Sequence, residues 1–366
     1  MTLQPAEQVD KKDKEFSLER VAELTGVLSD KTSSAISQID HINGETQVLA
    51  INALIEASRA GEVGKAFSVV AEEMSKLSKK IETTTENLRR ESIGTMSEME
   101  KIIKSQITNI KGIRLSDLAL TNIDLVDRNL YERSCDVRWW AKENSLAAAA
   151  KEKSKQKLEQ ASNRMGVILD SYTVYLDIVL CDVEGRVLAN GRPHQYRSVD
   201  TIHRDAVWFK TGFETQTKED FGFQTVHKSA LVNDQLAVIF SCALRENGTE
   251  DGDVVGVLGV ILNWQALANK IIENTPISGE ERTASRICIV DNDGLVLADS
   301  MNKVLQSHIR FSGMETLFSE KKGFTMTDYE NSESCVAHAL SPGYETYSSG
   351  WHSLIIQQLK KKAKAV

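Results

Sequence analysis

The sequence predicts an α+β chain. An antiparallel helical hairpin, a coiled coil able to pair with a second copy as a four-helix bundle, is joined by a long helix to two similar antiparallel α/β lobes. Three observations predict this. Residues 6–192 contain no proline, although the chain has four, at Pro5, Pro193, Pro276 and Pro342; a proline costs about 3 kcal/mol inside a helix. A 3.5-residue apolar repeat runs through the first hundred residues. From about residue 176 short β-like runs replace it, and they occur twice.

Composition bounds the class. With 366 residues, 41% apolar and 26% charged, the chain is an ordinary folded protein with room for about two domains. A net charge of −8 argues against a nucleic-acid partner, which calls for a basic face. None of the five cysteines stands in a Cys-x-x-Cys pair, so they read as reduced thiols of a cytoplasmic protein. The longest apolar run, residues 254–262, holds two glycines and falls well short of the ~18 residues of a membrane span. It reads as a buried strand, and no membrane insertion is expected.

The first arm places Leu18, Val21, Thr25, Leu28, Thr32, Ala35, Ile39, Ile42, Thr46 and Leu49 at alternating a and d sites; the second places Phe67, Val70, Met74, Leu77, Ile81, Thr84 and Leu88. Both carry the period of a left-handed supercoil. After Leu88 the frame slips by one residue to Met96, Met99, Ile103, Ile110, Ile113 and Leu120, which loosens the supercoil there. Between the arms, Gly61, Glu62 and Gly64 mark a tight turn. The expected hairpin covers residues 14–115 with its tip near 58–64. Its apolar stripe needs a partner, which predicts a homodimer.

The second half repeats itself. LDIVLCDVEGRVLANG (176–191) parallels RICIVDNDGLVLADS (286–300), with Asp182 and Gly185 answering Asp291 and Gly294. Gly222-Phe223 answers Gly323-Phe324, residues 237–247 parallel 333–343, and 254–264 parallel 350–359. Each copy predicts a five-stranded antiparallel unit that opens on a hairpin. A helix over 117–175 precedes a first lobe at 176–270 and a second at 280–360. Trp139 and Trp140 point about 100° apart on that helix, one toward the first lobe and the other toward a partner helix.

Residues 42–77, INGETQVLAINALIEASRAGEVGKAFSVVAEEMSKL, resemble the signalling tip of the methyl-accepting chemotaxis proteins, the bacterial chemoreceptors. The match runs without gaps through Asn52, Glu56, Arg59, Ala60, Gly61, Glu62, Gly64, Phe67, Val69, Val70 and Ala71. The resemblance implies that the tip binds a chemotaxis histidine kinase and a small coupling protein, and that receptor dimers gather as a trimer of dimers. Contact would fall on Asn52, Glu56, Arg59, Phe67 and Val69. Gly44 and Glu45 depart from the family pattern at the same face. The first arm is too short to reach the family's methylated Glu/Gln pairs, so no adaptation by methylation is expected.

The long helix followed by two sheet lobes, ending in SPGYETYSSGWHSLIIQQL, resembles the double Cache sensor, a PAS-like fold, over residues 117–360. The resemblance implies a small ligand held in the first lobe between the sheet and its covering segment. The candidate residues are Tyr196, Arg197, Arg204, Trp208, Phe209, His227 and Arg245. Ala206 stands where amino-acid-binding relatives have an arginine, and Arg245-Glu246 where they have the amine-binding aspartate. A cationic cluster of His203, Arg204, His227 and Arg245 favours a carboxylate instead.

No catalytic constellation emerges. Asp291-Asn292-Asp293-Gly294 suggests a calcium loop, but Ile289 occupies the required first acidic position. No haem, phosphate-loop or nucleophile-elbow motif occurs, so neither an enzyme nor a cofactor is expected. The sequence reads as a soluble chemoreceptor-like transducer. Two other readings stay open: a ligand-binding module whose tip no longer couples to the kinase, and a structural coiled-coil dimer.

Overall fold

The computed structural model describes residues 18–361, so the hairpin's expected start at residue 14 lies outside the described residues. The chain divides into two compact units, Met1–Lys111 and Gly112–Val366.

In the first unit, helix α1 (Leu18–Arg59) is followed by a 3₁₀ turn (Gly61–Gly64) and the first part of helix α2 (Lys65–Trp140), whose residues from Gly112 onward belong to the second unit. The arms meet along a seam of mostly small residues spaced by seven: Ile36, Asn43, Ala50 and Ala57 on α1, and Gly64, Ala71, Ser78 and Thr85 opposite, all buried. Asn43 Nδ2 donates to the Ser78 carbonyl at 3.0 Å, and Ser78 Oγ donates back to Asn43 Oδ1 at 2.8 Å. Asp40 pairs with Arg89. The large members of the heptad stripe face away from this seam. Ile42 is 63% exposed, Leu49 62% and Leu77 57%. The expected slip between residues 88 and 96 does not interrupt α2, which remains one helix of 76 residues.

In the second unit, the stretch expected as one helix over 117–175 is three. α2 ends at Trp140, α3 covers Asn144–Glu152 and α4 covers Lys155–Ser171. Two local devices break it. Lys153 adopts the left-handed conformation (φ 51°), and Ser154 caps α4 by accepting from the Lys157 N–H at 3.4 Å. Across the break, Glu143 receives a two-pronged ion pair from Arg164 at 2.9 and 3.0 Å. Trp140 is buried edge-on against Tyr172 and Tyr175, with centroids 5.6 and 5.5 Å away, whereas Trp139 is 69% exposed.

The first sheet comprises β1 (Tyr175–Cys181), β2 (Val187–Asn190), β3 (Gly222–Ser229), β4 (Gln235–Arg245) and β5 (Val254–Asn263), in the order β2-β1-β5-β4-β3, with helix α5 (Val207–Phe213) before β3. Helices α6 (Trp264–Glu273) and α7 (Gly279–Thr283) lead to the second sheet. That sheet comprises β6 (Ser285–Val290), β7 (Val296–Asp299), β8 (Lys322–Tyr329), β9 (Ser332–Leu340) and β10 (His352–Lys361), with helix α8 (Met314–Ser319) before β8. Its order, β7-β6-β10-β9-β8, repeats the first. The register corrects the sequence alignment. Val179, Gly259 and Ser241 lie in one cross-strand row, and Cys288, Leu354 and His338 in the other. Hence β5 answers β10 at an offset of 95 (354 − 259) and β4 answers β9 at 97 (338 − 241), where the sequence reading used 96 for both. A one-residue slip exchanges the two faces of a strand, so the corrected register decides which side chains correspond.

One carboxylate anchors the second lobe to α2. Asp127, fully buried, accepts from Ser341 Oγ (2.5 Å), Gly343 N–H (2.8 Å), Ser349 N–H (3.2 Å) and Ser349 Oγ (2.6 Å). Nearby, Ser116 Oγ donates to the Gly323 carbonyl at 2.7 Å, and Arg114 forks onto Glu281 at 2.7 and 2.8 Å.

The outer face of the second sheet holds a buried histidine chain. His352 Nε2 lies 2.8 Å from Asn292 Oδ1, an acceptor, so His352 donates there and its Nδ1 accepts from His338 Nε2 at 2.7 Å. The lone pair of His338 Nδ1 is then left buried and unpartnered. Phe318 stacks on both rings, 4.0 Å from His352 and 5.0 Å from His338. Burial pushes His338 down to about 3, helped by His352, and pushes His352 down to about 4 against the pull of Asp291.

Two expectations follow. Asp127→Ala strands four donors and should destabilise the second unit by about 3 kcal/mol or more, read as a lower urea midpoint by tryptophan fluorescence; an unchanged midpoint would show that the loop is held by other contacts. The histidine pair sets an acid limit. Unfolded, both rings titrate near 6.5, so below that pH the unfolded chain binds more protons and stability falls as the pH drops toward 4. The loss by pH 4 should be on the order of 6 kcal/mol for the two rings, and a His338→Gln, His352→Gln double variant should flatten it in pH-dependent urea titrations.

Candidate functional site

The hairpin tip is built by two glycines. Gly61 takes φ +59°, which a side chain would resist. At Gly64 a Cβ would lie 2.1 Å from the Ala57 carbonyl oxygen, so only glycine lets α2 begin against α1. Asn52, Glu56 and Arg59 fall on one face of α1 and are all exposed. Arg59 Nη1 donates to Glu56 Oε1 at 2.7 Å, and Lys65 pairs with Glu62 at 2.5 Å. Exposed pairs of this kind contribute at most about 1 kcal/mol, so they shape the surface rather than hold the fold. Beside them the tip exposes large apolar side chains: Phe67 at 71%, Val69 at 61% and Val63 at 88%. Ile51, Leu54 and Ile55, also exposed, extend the patch along α1. Their position outside the seam depends on which heptad face closes the hairpin, which the sequence pattern alone did not decide. Apolar surface concentrated in this way marks an interaction site.

In the first lobe, Tyr196, Trp208 and Phe209 come together but are fully packed, among Val179, Cys181, Ile239, Val257 and Ile261. Trp208 and Phe209 meet edge-to-face at 5.9 Å, and Ser241 Oγ donates to the Trp208 carbonyl at 2.5 Å. Gly259 on β5 leaves room for the indole, since a Cβ would approach it to 2.9 Å. The aromatic trio is therefore core of the sheet face beneath α5.

The cationic residues are distributed. Arg197 and Arg204 are exposed in the segment covering this face, with the Arg204 backbone lying over the Gly185 turn. Arg245, at the end of β4, spends its guanidinium on the Gly252 and Thr215 carbonyls at 3.0 and 2.9 Å. It lines a small cleft with Arg138, Lys142 and Lys218 instead. His227 sits on β3 with Nδ1 2.8 Å from the Thr225 carbonyl, and His203 packs 6.1 Å from Trp208. Burial lowers both histidines from their ordinary range. Their charged forms are disfavoured, so the fixed positive charge of the covering segment is that of Arg197 and Arg204.

A buried carboxylate that the sequence reading missed lies behind this face. Asp177 accepts from Asn190 Nδ2 (2.7 Å) and from the backbone N–H groups of Ile178 (2.8 Å), Gly191 (3.0 Å) and Arg192 (3.0 Å). Burial still pushes it up to about 6, against all four hydrogen bonds. The only sequence signal was an acidic residue inside an apolar strand. Among the described residues no group of three or more His, Cys, Asp or Glu side chains is placed to hold a metal ion, and no helix is long and apolar enough to cross a membrane.

Known proteins match the two regions separately. The family model of the methyl-accepting chemotaxis protein signalling domain matches residues 2–169. The methyl-accepting chemotaxis protein McpQ of Pseudomonas putida is 36% identical over 93 residues, 25% of this chain and 14% of that protein. The biofilm dispersion protein BdlA of Pseudomonas aeruginosa is 34% identical over 95 residues, 25% of this chain and 23% of that protein. The chain thus spans less than a quarter of the length of either relative. Among solved structures, the sensor domain of the Vibrio cholerae histidine kinase DctB superposes with a TM-score of 0.52 at 10% identity. It covers 68% of this chain and 99% of its own. That likeness concerns the fold alone and bears out the two-lobed architecture expected from the sequence. Over residues 2–169 the chain matches the signalling domain of the methyl-accepting chemotaxis proteins, and its sheet lobes share the two-lobed fold of the DctB sensor domain.

Proposed function

We propose that the protein is a cytoplasmic chemoreceptor-type signal transducer whose tip controls a chemotaxis histidine kinase through a coupling protein. The observation that carries this reading is the tip itself. An exposed polar trio, Asn52, Glu56 and Arg59, borders exposed Phe67 and Val69, on a turn that only Gly61 and Gly64 permit, within residues that match the signalling domain. Polar groups beside desolvatable apolar anchors are the composition of an interface hot spot.

The receptor is a homodimer in this reading. Leu28, Ile42 and Leu49 on α1, with Val70 and Leu77 on α2, form an outward apolar stripe that a second hairpin would bury as a four-helix bundle. Gathering of dimers into trimers would use the tip's remaining apolar surface. The sensor lobes bind a small carboxylate ligand at the covering segment of the first lobe, where Arg197 and Arg204 supply positive charge. Ligand binding shifts the population of two arrangements of α2, which the lobes grip through Arg114, Ser116 and Asp127.

Phosphorylation assays with a chemotaxis histidine kinase and coupling protein test the tip. Glu56→Lys should reduce kinase control about tenfold or more, the scale of a lost hot spot, with the helical circular dichroism unchanged. Kinase activity indifferent to the wild-type protein would overturn the coupling and leave a binding module. Oxidation of a Leu49→Cys variant should give a cross-linked dimer; a product that stays monomeric would overturn the four-helix bundle.

A further inference from the structure

Between the two sheet lobes runs a trough that the reading above does not use. One wall is α6; the other is the edge strand β7 with the loop that follows it. Two adjoining cavities of about 360 and 460 Å³ make up the trough, and they share Asn269 of α6 and Asn302 of the loop. Each lies within the volume range of small-molecule sites. The floor is apolar, with Trp264, Ala268 and Leu297 under one cavity and Ile272 and Ile287 under the other.

The polar groups are ordered along the trough. Lys228 lines the first cavity only and Glu273 the second only. Arg282 and Asp299 also line the second, but the Arg282 guanidinium is spent on the Ile272, Glu273 and Thr275 carbonyls and Asp299 is paired with Arg286. Lys228 and Glu273 are exposed, and neither forms an ion pair among the described residues. The two carboxamides lie between them, one on each wall. A carboxamide offers two donors and an acceptor, the complement of a peptide group, and neither Asn269 nor Asn302 spends its side chain on a hydrogen bond among the described residues. Lys228 and Glu273 belong to adjoining cavities, so the two charges stand apart along the trough. An extended chain gains about 3.3–3.6 Å per residue, so a peptide of two or three residues would span the shared middle.

We propose that this trough binds a short peptide with free ends: its carboxylate at Lys228, its amino group at Glu273, its backbone amides on Asn269 and Asn302, and small side chains on the apolar floor. The site is separate from the covering segment of the first lobe. It joins α6 of the first lobe to the β7 loop of the second, so occupancy links the two lobes directly.

Calorimetric titration of the full chain with trialanine tests this. Saturable binding is expected, weakened about tenfold or more (~1.4 kcal/mol) by amidating the carboxyl end or acetylating the amino end. Lys228→Gln should weaken trialanine but leave the amidated peptide unaffected, and Glu273→Gln should do the same for the acetylated peptide. Both residues are exposed, so both variants should fold; circular dichroism checks this. Asn269→Ala should weaken every form. Absence of saturable heat, equal binding of the doubly blocked peptide, equal binding of free alanine, or binding indifferent to Lys228→Gln and Glu273→Gln would each overturn the site. None of these outcomes bears on the kinase assay, so failure here and failure of the tip reading are distinguishable.

Discussion

The second unit depends on a buried carboxylate that a helix cannot satisfy by itself. Taking Asp127 out of water costs several kcal/mol, and nothing on α2 offsets that. The donors come from residues 341–349, which have little secondary structure of their own. Ordering that loop against α2 has consequences well beyond the contact. It places Tyr347 among Phe221, Phe223 and Phe240 of the first lobe, at centroid distances of 6.0–6.3 Å. It also sets Trp351 edge-on to Trp264, 5.2 Å away. The loop of one lobe thereby completes the inner core of the other, and both lobes pack on the same stretch of helix through Leu115, Ile123, Val126 and Leu130. Hydrophobic burial supplies most of the stabilisation; the carboxylate decides which arrangement receives it.

The hairpin solves a different problem with the same economy. Its seam is narrow because Ala50, Ala57, Gly64, Ala71 and Ser78 are small, and the mutual hydrogen bonds of Asn43 and Ser78 fix one register, as a polar core residue can in a coiled coil. Small residues inside leave the large ones outside. That inversion leaves Ile42, Leu49 and Leu77 outside the hairpin, on the stripe that the heptad reading said needs a partner. Two heptad faces share one period, and the pattern does not say which closes first.

Elsewhere, legibility followed how local the cause was. The glycine turns at Gly61 and Gly185, the paired hairpins and the doubled sheet follow from short-range chemistry, and the sequence displays them. The helix breaks at 141–143 and 153–154 do not. No proline or glycine marks them; the backbone turns because Glu143 finds Arg164 and because the alanine face of α3 is buried. The one-residue error in aligning the repeats has a similar origin, since strand register is fixed by partners far along the chain. In the candidate sites, the tip residues lie exposed beside the glycine turn, where the sequence placed them. The first-lobe residues were not legible, because sequence cannot distinguish an aromatic that faces a ligand from one that fills a sheet face, or a histidine in water from one whose charged form burial disfavours.

The corrected register makes the two lobes comparable residue by residue, and their differences are chemical. At the offset of 109, Asp177 and Asn190 of the first lobe answer Arg286 (177 + 109) and Asp299 (190 + 109) of the second. In the second lobe the pair is a buried two-pronged ion pair at 2.8 and 3.0 Å, with Tyr329 Oη on the third side of the guanidinium at 2.7 Å. Charge is balanced there, and breaking the pair would strand an ion. In the first lobe the carboxylate has only neutral donors and no cation, and burial holds it near 6. Ser241 beneath Trp208 becomes His338 beneath Phe318, locked to His352 and Asn292. Each exchange gives the second lobe a charged or side-chain-to-side-chain connection where the first has hydrogen bonds from neutral donors. A site that must reorganise around a ligand needs a face whose contacts are cheap to rearrange, and one that must hold a helix needs the reverse. In the proposed reading the first lobe is therefore the one that responds to ligand, and the second, fastened to α2 through Asp127, is the support it works against.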